Sequence, residues 1–278
     1  MSGSMVELDA FRMFEASGWE QKADPYDRFF GPITDQVAEP LLDAASVGPG
    51  IRVLDLATGP GYVAGRAAKR GANVFDIDIA AAMVALASDR LPTVTFQVAD
   101  AEELPFERGA FDAVVGNFIL PDVGDADRVV ADCARVLVVD GTLALSMWES
   151  PERNRLFGVL TDAVAECSAE APAGLPTGPP FFRYSADDAL LSLLNRAGFE
   201  DVEIERIEFT RRFANSDELW GGLIGGTVRI SALVTSQPAA MRRRLREAFD
   251  RLVAARVVED CLEIPVSIKI VAGRKRLD

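Results

Sequence analysis

Residues 53–65 read VLDLATGPGYVAG, and this stretch decides the fold. It begins with apolar residues at nearly every position, which is typical of a strand buried on both faces of a sheet. The strand ends in an acid, Asp55, and Gly59-Pro60-Gly61 then lead directly into a helix. Glycines at such a turn let the backbone approach a ligand closely, while the amide groups of the helix N-terminus face it. The stretch therefore predicts a strand, loop and helix that hold a ligand at the end of the strand.

From Ile51 onward, two kinds of segment alternate along the chain. The strand-like runs are IRVLDLA (51–57), NVFDIDI (73–79), TVTFQV (93–98), FDAVVGNFI (111–119) and GTLALSMW (141–148). The helix-like runs between them are Tyr62–Arg70, Ala80–Arg90 and Asp125–Val139. This alternation predicts an α/β fold with a Rossmann-like, doubly wound, mostly parallel sheet and helices on both faces.

The segments on either side of this core are predicted to cover and complete it. Residues 1–46 are helix-like and rich in aromatic residues, and we expect them to form a cover or lid over the cofactor-binding core at 47–150. Residues 151–278 are predicted to form the substrate side and the closing strands, Glu203–Phe213 and an antiparallel last strand, Leu262–Ala272. A helical insertion at about 214–258, interrupted by GGLIGG at 221–226, is either a lid or the surface of a possible homodimer.

Composition excludes several kinds of chemistry. The chain has no histidine, so a Ser-His-Asp triad, a Cys-His pair and a histidine-ligated metal are ruled out. Its three cysteines are too widely spaced for a CxxC motif, and we expect no metal. With 29 basic and 43 acidic residues the net charge is −14, which argues against nucleic acid or an anionic membrane as a partner. The N-terminal MSGSMVELDA lacks a signal-peptide pattern, so we expect a cytoplasmic protein that acts on a small molecule.

Acids stand at the ends of successive predicted strands. Asp78 lies 23 residues after Asp55, and Asp100 ends the third strand directly before Ala101. The carboxyl ends of parallel strands form the edge at which open α/β sheets bind ligands, and an acid after the second strand suits the two hydroxyl groups of a ribose. Asp76 shares that second strand end, and its role stays open.

The glycine spacing alone leaves the ligand undecided, because Gly59-x-Gly61-x-x-Ala64 also fits the dinucleotide fingerprint. Five ordered segments together resemble the class I S-adenosylmethionine-dependent methyltransferases, of the subgroup that includes the ubiquinone/menaquinone-biosynthesis methyltransferases. These segments are VLDLATGPG, FDIDIAAAM, VADAEELPF, FDAVVGNFIL and ARVLVVDGTLALSMW. The resemblance implies S-adenosylmethionine as the cofactor and S-adenosylhomocysteine as the product.

The resemblance also implies a set of cofactor-binding residues in these segments: Asp55, Ala57, Gly59, Gly61, Asp78, Ile79, Met83, Asp100, Ala101 and Asn117. Among them, Asp78 would hold the ribose hydroxyl groups and Asp100 would accept a hydrogen bond from the adenine amino group. Asn117 would lie beside the carbon that is transferred.

No catalytic residue is assigned. Relatives often have a histidine after the fourth strand, where this chain has Pro121, so the titratable candidates for a base are Tyr26, Asp122 and Glu149. Alignment of two reactants contributes about 7–11 kcal/mol to catalysis. Deprotonating a phenol at pH 7 costs only roughly 4 kcal/mol. We therefore expect positioning to drive the reaction.

The acceptor pocket is expected to have an aromatic and apolar wall. Its predicted residues are Trp19, Tyr26, Phe30, Leu120 and Trp148, with Phe29, Phe181, Phe182 and Trp220 as further candidates. Such a wall predicts O- or C-methylation of an apolar or aromatic small molecule in specialised metabolism. Two alternatives stay open, a cofactor-binding protein of the same fold that catalyses a cyclisation without methyl transfer and a nucleotide-binding oxidoreductase.

Overall fold

The structure, a computed structural model, describes residues 2–276 and contains an eight-stranded sheet with helices on both faces. The strands are β1 (Arg52–Leu56), β2 (Asn73–Asp78), β3 (Thr95–Val98), β4 (Phe111–Asn117), β5 (Leu137–Trp148), β6 (Phe199–Phe213), β7 (Val257–Val258) and β8 (Cys261–Lys275). The helices are α1 (Ser2–Phe29), α2 (Gly31–Ala44), α3 (Tyr62–Lys69), α4 (Ala81–Arg90), α5 (Ala126–Val136), α6 (Arg155–Cys167), α7 (Asp187–Arg196), α8 (Ser216–Gly225), α9 (Arg229–Thr235) and α10 (Ala239–Ala254). None of the helices in this range is long and apolar enough to cross a membrane.

The strand order is β3-β2-β1-β4-β5-β8-β6, with the short β7 paired to β8. Strands β1 to β5 pair in parallel, whereas β8 runs antiparallel between β5 and β6. The predicted doubly wound, mostly parallel sheet with an antiparallel last strand is therefore confirmed. Because the winding direction reverses between β1 and β4, a crevice opens outside the carboxyl ends of these strands.

The central strands contribute side chains to two hydrophobic layers, which explains why they are apolar at nearly every position. Val53 and Val115 pack in the layer that contains α2, α3, α6 and α10. Leu54, Leu56 and Val114 pack in the opposite layer, which contains α5 and α7. Helices thus cover both faces of the sheet. The crevice outside the carboxyl ends of the strands is left as the place where a ligand can bind.

The predicted N-terminal cover consists of two helices with different positions. Ile33, Val37 and Leu41 of α2 are fully buried against the sheet, so α2 is part of the main core. Helix α1 instead contacts α4 and α8 and extends over the carboxyl ends of the strands. Only α1 has the position of a cover.

The helical insertion folds back onto the rest of the chain as α8, α9 and α10. The interruption predicted at GGLIGG lies later than expected, because Gly221–Gly225 belong to α8 and the chain turns at Gly226–Val228. Gly222 serves close packing, since a Cβ atom there would overlap the ring of Phe29 on α1. The insertion therefore contributes to the covered crevice.

One predicted helix end was wrong. Asp125–Val139 was expected to be a single helix, but α5 ends at Val136 and Leu137 already pairs with Phe111 of β4. The pairing register then shifts before Thr142 pairs with Ala113. The long strand β5 thus starts in a segment whose β-branched residues suit a strand better than a helix.

Candidate active site

A cavity lies at the carboxyl ends of β1, β2 and β4, bounded by α1 and by the turn between α8 and α9. The predicted cofactor residues that line it are Ala57, Gly59, Asp78, Ile79, Met83, Asp100, Ala101 and Asn117. The predicted acceptor residues that line it are Trp19, Tyr26, Phe30 and Trp148. Segments that are far apart in the sequence therefore meet around one site.

The loop after β1 turns sharply because several of its residues have left-handed backbone conformations. Gly59 has φ +54° and Gly61 has φ +82°, values that favour glycine. Ala57 has φ +52°, a conformation that costs an L-residue about 1–2 kcal/mol and is found where a functional site stores strain. Gly61 lies outside the cavity lining as the N-cap of α3, and a Cβ atom there would be 3.2 Å from the Cβ of Ala87.

Asp78 ends β2 at the cavity and is 6% exposed. Its two oxygens accept hydrogen bonds from the backbone N–H groups of Gly59 and Ala80, each at 2.9 Å. Burial raises the pKa of Asp78 to about 6, and the amide donors oppose this rise. The carboxylate is therefore ionised at neutral pH and held in one orientation at the cavity.

Asp100 follows β3 and contacts α1. Its Oδ1 accepts a hydrogen bond from the backbone N–H of Glu102 at 2.8 Å, and its Oδ2 lies 3.1 Å from Nη1 of Arg12. Arg12 also pairs with Asp9 one helical turn away. The ion pair between Arg12 and Asp100 ties the cover helix to the strand edge, a contact that sequence analysis did not identify.

Asp55 and Asp76 lie below the loop and not in the cavity lining. They are paired in register on β1 and β2, and each is 1% exposed. The hydroxyl of Thr58 donates to Asp55 Oδ2 at 2.9 Å and lies 3.4 Å from Asp76 Oδ1. Burial raises the pKa of Asp55 to about 7, and burial together with the charge of Asp55 raises the pKa of Asp76 well above its usual range. Asp76 is thus half of a buried carboxyl pair that retains protons at neutral pH.

The end of β4 is fixed by hydrogen bonds to its neighbours. Asn117 donates from Nδ2 to the carbonyl of Thr34 at 3.3 Å and accepts at Oδ1 from the hydroxyl of Ser146 at 2.5 Å. Phe118 has φ +66°, and its N–H donates to Oγ of Ser146 at 3.0 Å. The strain at Phe118 directs its ring onto Trp148, with the ring centroids 4.0 Å apart.

Leu120 is the predicted acceptor residue that does not line the cavity. It begins the 3-10 turn Leu120–Asp122, is 2% exposed and packs in the layer that contains α5. The same turn brings Asp122 to the cavity instead. Of the further aromatic candidates, Phe181 lines the cavity, whereas Phe29, Phe182 and Trp220 are not part of its lining.

Aromatic rings form the wall of the cavity beside these strand ends. Tyr26 lies between Trp19 and Phe30, with ring centroids 5.4 and 5.5 Å away. Phe30 in turn lies 6.2 Å from Trp148, centroid to centroid. Burial raises the pKa of Tyr26 well above its usual range, so its hydroxyl stays protonated at neutral pH. Tyr26 is therefore a wall residue and a poor candidate for a base.

Sequence analysis missed two charged residues of the cavity, Glu15 and Arg229, which lie near Asp122, one of its candidates for a base. Glu15 of α1 is 2% exposed, and within the described residues neither of its side-chain oxygens has a hydrogen-bond partner of normal geometry, although a contact with the Trp19 side chain opposes the effect of burial on its pKa. The nearest cation is Arg229 of α9, with Nε 4.0 Å from Glu15 Oε1. Burial raises the pKa of Glu15 to about 9, and the charge of Asp122 adds to this rise. Burial likewise raises the pKa of Asp122 to about 7, against the lowering effect of Arg229.

Only one signal in the sequence pointed to Glu15. Phe11, Glu15 and Trp19 are spaced four residues apart, so an acid interrupts an otherwise aromatic stripe on one face of α1. Nothing in the sequence placed Arg229 near this stripe, because the contact joins α1 to α9.

Glu149, the remaining candidate for a base, lies outside the cavity. Its Oε1 accepts from Nε of Arg206 at 2.8 Å, and its Oε2 lies 3.5 Å from Nζ of the buried Lys269. It belongs to an ion-pair network that includes Asp187. Over residues 2–276, no group of three or more Cys, Asp or Glu side chains is arranged to hold a metal ion.

The chain matches known methyltransferases over most of its length. The family described as "Methyltransferase domain" matches residues 54–145. A demethylmenaquinone methyltransferase from Thermotoga maritima is 31% identical over 225 residues, which cover 75% of this chain and 95% of that protein. A nocamycin O-methyltransferase from Saccharothrix syringae is 31% identical over 221 residues, covering 73% and 76% of the two chains.

A solved structure agrees at the level of the fold. A phosphoethanolamine N-methyltransferase from Haemonchus contortus, in complex with S-adenosylhomocysteine, superimposes with a TM-score of 0.59 at 19% identity and covers 96% of this chain and 60% of that one. The identity and coverage of the sequence relatives, together with this shared fold, establish the family. The chain belongs to the class I S-adenosylmethionine-dependent methyltransferases, in the subgroup that resembles the ubiquinone and menaquinone methyltransferases.

Proposed function

We propose that this methyltransferase methylates an oxygen or carbon atom of an apolar or aromatic small molecule. One observation carries the proposal: the glycine loop, the acids of the strand ends and a wall of aromatic rings all line a single cavity. Ligand sites of this composition, mostly apolar with a few fixed polar groups, are typical of small-molecule enzymes.

The residues at the strand ends fit the cofactor. Asp78 offers a buried, oriented carboxylate for the ribose hydroxyl groups, and Ile79 and Met83 line the cavity beside it. Asp100 and the backbone of Ala101 suit the adenine ring, while the left-handed Gly59 allows close approach of the methionine part. When bound, S-adenosylmethionine supplies a methyl group on a positively charged sulfur.

Asp55 and Gly61 act from outside the cavity in this proposal. Asp55 holds Thr58 and so the loop, and Gly61 starts α3 while leaving room for α4. Asn117, fixed by Thr34 and Ser146, lies at the junction between the cofactor side and the acceptor side. Its role is to keep the two ligands aligned.

The acceptor side supports an aromatic or apolar substrate. Trp19, Tyr26, Phe30 and Trp148 offer flat faces, and aromatic pairs gain about 0.5–1.5 kcal/mol beyond the burial of their area. The names of the two sequence relatives, a demethylmenaquinone and a nocamycin methyltransferase, support a small-molecule acceptor. The net charge of −14 argues against nucleic acid as the substrate.

Positioning is the main catalytic device that we propose. Holding two reactants in line contributes about 7–11 kcal/mol, more than the roughly 4 kcal/mol that deprotonation of a phenol at pH 7 requires. Several rigid features of the site serve this purpose. Ala57 and Phe118 have strained left-handed backbone conformations, Asn117 is held by side-chain hydrogen bonds, and Asp78 accepts two backbone hydrogen bonds.

Isothermal titration with S-adenosylmethionine and S-adenosylhomocysteine tests the cofactor site. Asp78→Asn should weaken binding of both about 10- to 100-fold, the range expected when a hydrogen bond to a charged group is lost. Asp89→Asn, a change of the same charge at an exposed position of α4, is the matched control and should bind normally. Equal affinity of the two variants would contradict the assignment of Asp78.

A further inference from the structure

We propose that Glu15, Asp122 and Arg229 form a polar anchor for the acceptor, and that this anchor binds a phenolic or enolic hydroxyl group. The inference rests on the proposed methylation of an aromatic small molecule and narrows its substrate class. We call Glu15, Asp122 and Arg229 together the polar anchor.

The polar anchor is built from three separate elements around one point of the cavity. Glu15 comes from α1, Asp122 from the turn after β4 and Arg229 from α9, and all three line the cavity together with the aromatic wall. A ligand bound against the wall therefore shares its cavity with the polar anchor.

The state of Glu15 indicates a missing hydrogen-bond partner. Its carboxyl group is almost completely buried, yet within residues 2–276 neither oxygen has a hydrogen-bond partner of normal geometry, and the Trp19 side chain makes only a weaker contact with it. Buried polar groups in folded proteins are nearly always hydrogen-bonded, and an exception calls for a partner that the chain itself does not supply. Because its pKa of about 9 keeps this carboxyl group protonated at neutral pH, a ligand hydroxyl group, which can both accept from its O–H and donate to its other oxygen, would satisfy it.

The position of Arg229 favours a neutral donor over a cation. Its side chain donates to the carbonyls of Pro121 at 3.3 Å and Pro179 at 2.8 Å and lies over the ring of Phe11, 5.1 Å from the centroid. The guanidinium is thereby fixed 4.0 Å from Glu15. A second positive charge, such as an ammonium group on the acceptor, would be repelled there, whereas a hydroxyl group would not.

The charges around Asp122 set how the polar anchor responds to pH. Glu15 and Tyr26 face it from α1, Asp78 from β2 and Arg229 from α9. Of the two carboxyl groups, Asp122 loses its proton first, since its pKa is about 7 and that of Glu15 is about 9. An ionised carboxylate accepts a stronger hydrogen bond than a protonated one, so hydroxyl binding should strengthen as the pH rises through about 7.

The experiment compares 2-naphthol with 2-methoxynaphthalene and naphthalene as probes. Their dissociation constants are measured by calorimetry on the full-length protein loaded with S-adenosylhomocysteine, at several pH values from 6 to 8. At pH 8 the wild type should bind 2-naphthol about 10- to 100-fold more tightly than the two probes without a hydroxyl group. The preference should be smaller at pH 6.

Variants of the polar anchor separate binding from a purely structural role. Asp122→Asn should reduce the hydroxyl preference to within a few-fold and remove its pH dependence. Glu15→Gln should leave the midpoint of the rise near pH 7, because the Glu15 carboxyl group, with a pKa of about 9, is still protonated and neutral where Asp122 ionises. Asp24→Asn, at an exposed position of α1, makes the same change of charge as Asp122→Asn and should behave as the wild type. Affinity for S-adenosylhomocysteine, measured for each variant, verifies that it is folded.

Each possible result either supports or overturns the polar anchor. A hydroxyl preference that is absent in the wild type, or that persists unchanged in Asp122→Asn, overturns the polar anchor, while the proposed function stands if the three probes still bind. If S-adenosylhomocysteine binds but none of the naphthalenes does, the proposed aromatic acceptor is wrong and the polar anchor falls with it. Loss of S-adenosylhomocysteine binding in the wild type would contradict the cofactor site itself.

Discussion

At the scale of single residues, the acids at the strand ends could be predicted, whereas Glu15 and Arg229 of the polar anchor could not. Asp78 and Asp100 follow strands whose apolar pattern is plain in the sequence, and parallel strands bring their carboxyl ends to one edge. Glu15 and Arg229 meet only because α1 and α9 both reach that edge, and no local pattern encodes such a contact. Leu120 was predicted to line the acceptor pocket, but the turn that follows β4 directs Leu120 to the core and Asp122 to the cavity.

The buried pair Asp55 and Asp76 leads to a prediction with a definite sign. The pKa of both acids is raised in the folded protein, so their contribution to stability is present at low pH and is lost as the pH rises through about 7, the pKa of Asp55. Asp76→Asn removes one of the two like charges. It should therefore increase the free energy of unfolding at pH 8 by about 1–2 kcal/mol, equivalent to roughly one unit of pKa, and by less at pH 5.5.

Urea unfolding at the two pH values measures this difference. Asp112→Asn is the contrasting control, because Arg52 donates to Asp112 at 2.7 and 3.0 Å and lowers its pKa. Loss of the ion pair between Asp112 and Arg52 should lower the free energy of unfolding at pH 8, by no more than about 1 kcal/mol because the pair is partly exposed. A destabilised Asp76→Asn at pH 8 would mean that the carboxyl pair holds the loop through its charge.

At the scale of helices and strands, the regular alternation of apolar segments predicted the elements well, whereas glycines did not predict where a helix ends. The alternation from Ile51 to Trp148 predicted β1 to β5 and their helices, apart from the end of α5. The glycines of GGLIGG predict a break in the helix, although most of the segment lies within α8. The reason is that Gly222 is required by a neighbour, Phe29 of α1, and such a tertiary contact is invisible in the sequence.

Two adjacent glycines of α8 therefore predict opposite responses to alanine. Gly222→Ala should destabilise the protein by about 1–3 kcal/mol, because the added methyl group displaces the Phe29 ring and so α1. Gly221→Ala adds the same methyl group where no other atom lies within 4 Å. It should be neutral or stabilise by up to about 1 kcal/mol through helix propensity.

Urea unfolding compares these variants, and titration with S-adenosylhomocysteine reports on the site. Because α1 bounds the cavity, Gly222→Ala should also weaken ligand binding, whereas Gly221→Ala should leave it unchanged. Identical stabilities for the two variants would show that the packing of α1 on α8 does not depend on this glycine.

At the scale of the whole molecule, buried acids make stability depend on pH in an unusual direction. Burial raises the pKa of Asp78 to about 6, of Asp55 and Asp122 to about 7 and of Glu15 to about 9. In the unfolded chain these groups titrate near pH 4, so the folded state binds more protons between pH 4 and pH 9 and stability falls as pH rises. The net charge of −14 at pH 7 acts in the same direction through repulsion.

Thermal unfolding of the ligand-free protein should therefore give a Tm that is higher at pH 5.5 than at pH 8, by roughly 5–10 °C if a few kcal/mol are involved. Circular dichroism at low ionic strength measures the two midpoints. Added salt screens the repulsion between like charges. It should therefore reduce only the part of the Tm difference that this repulsion causes. A Tm that rises with pH would contradict the burial of these acids.

The aromatic wall has a consequence for spectroscopy. The chain has three tryptophans, of which Trp19 and Trp148 line the cavity while Trp220 packs on Phe249 outside it. Ligand entry should change the emission of the two cavity tryptophans and leave that of Trp220 as a constant background. In Trp220→Phe the amplitude of the ligand-induced change should equal that of the wild type, and in Trp148→Phe it should fall. The protein thus contains its own fluorescent reporter of occupancy, and screening for the natural acceptor requires no attached dye.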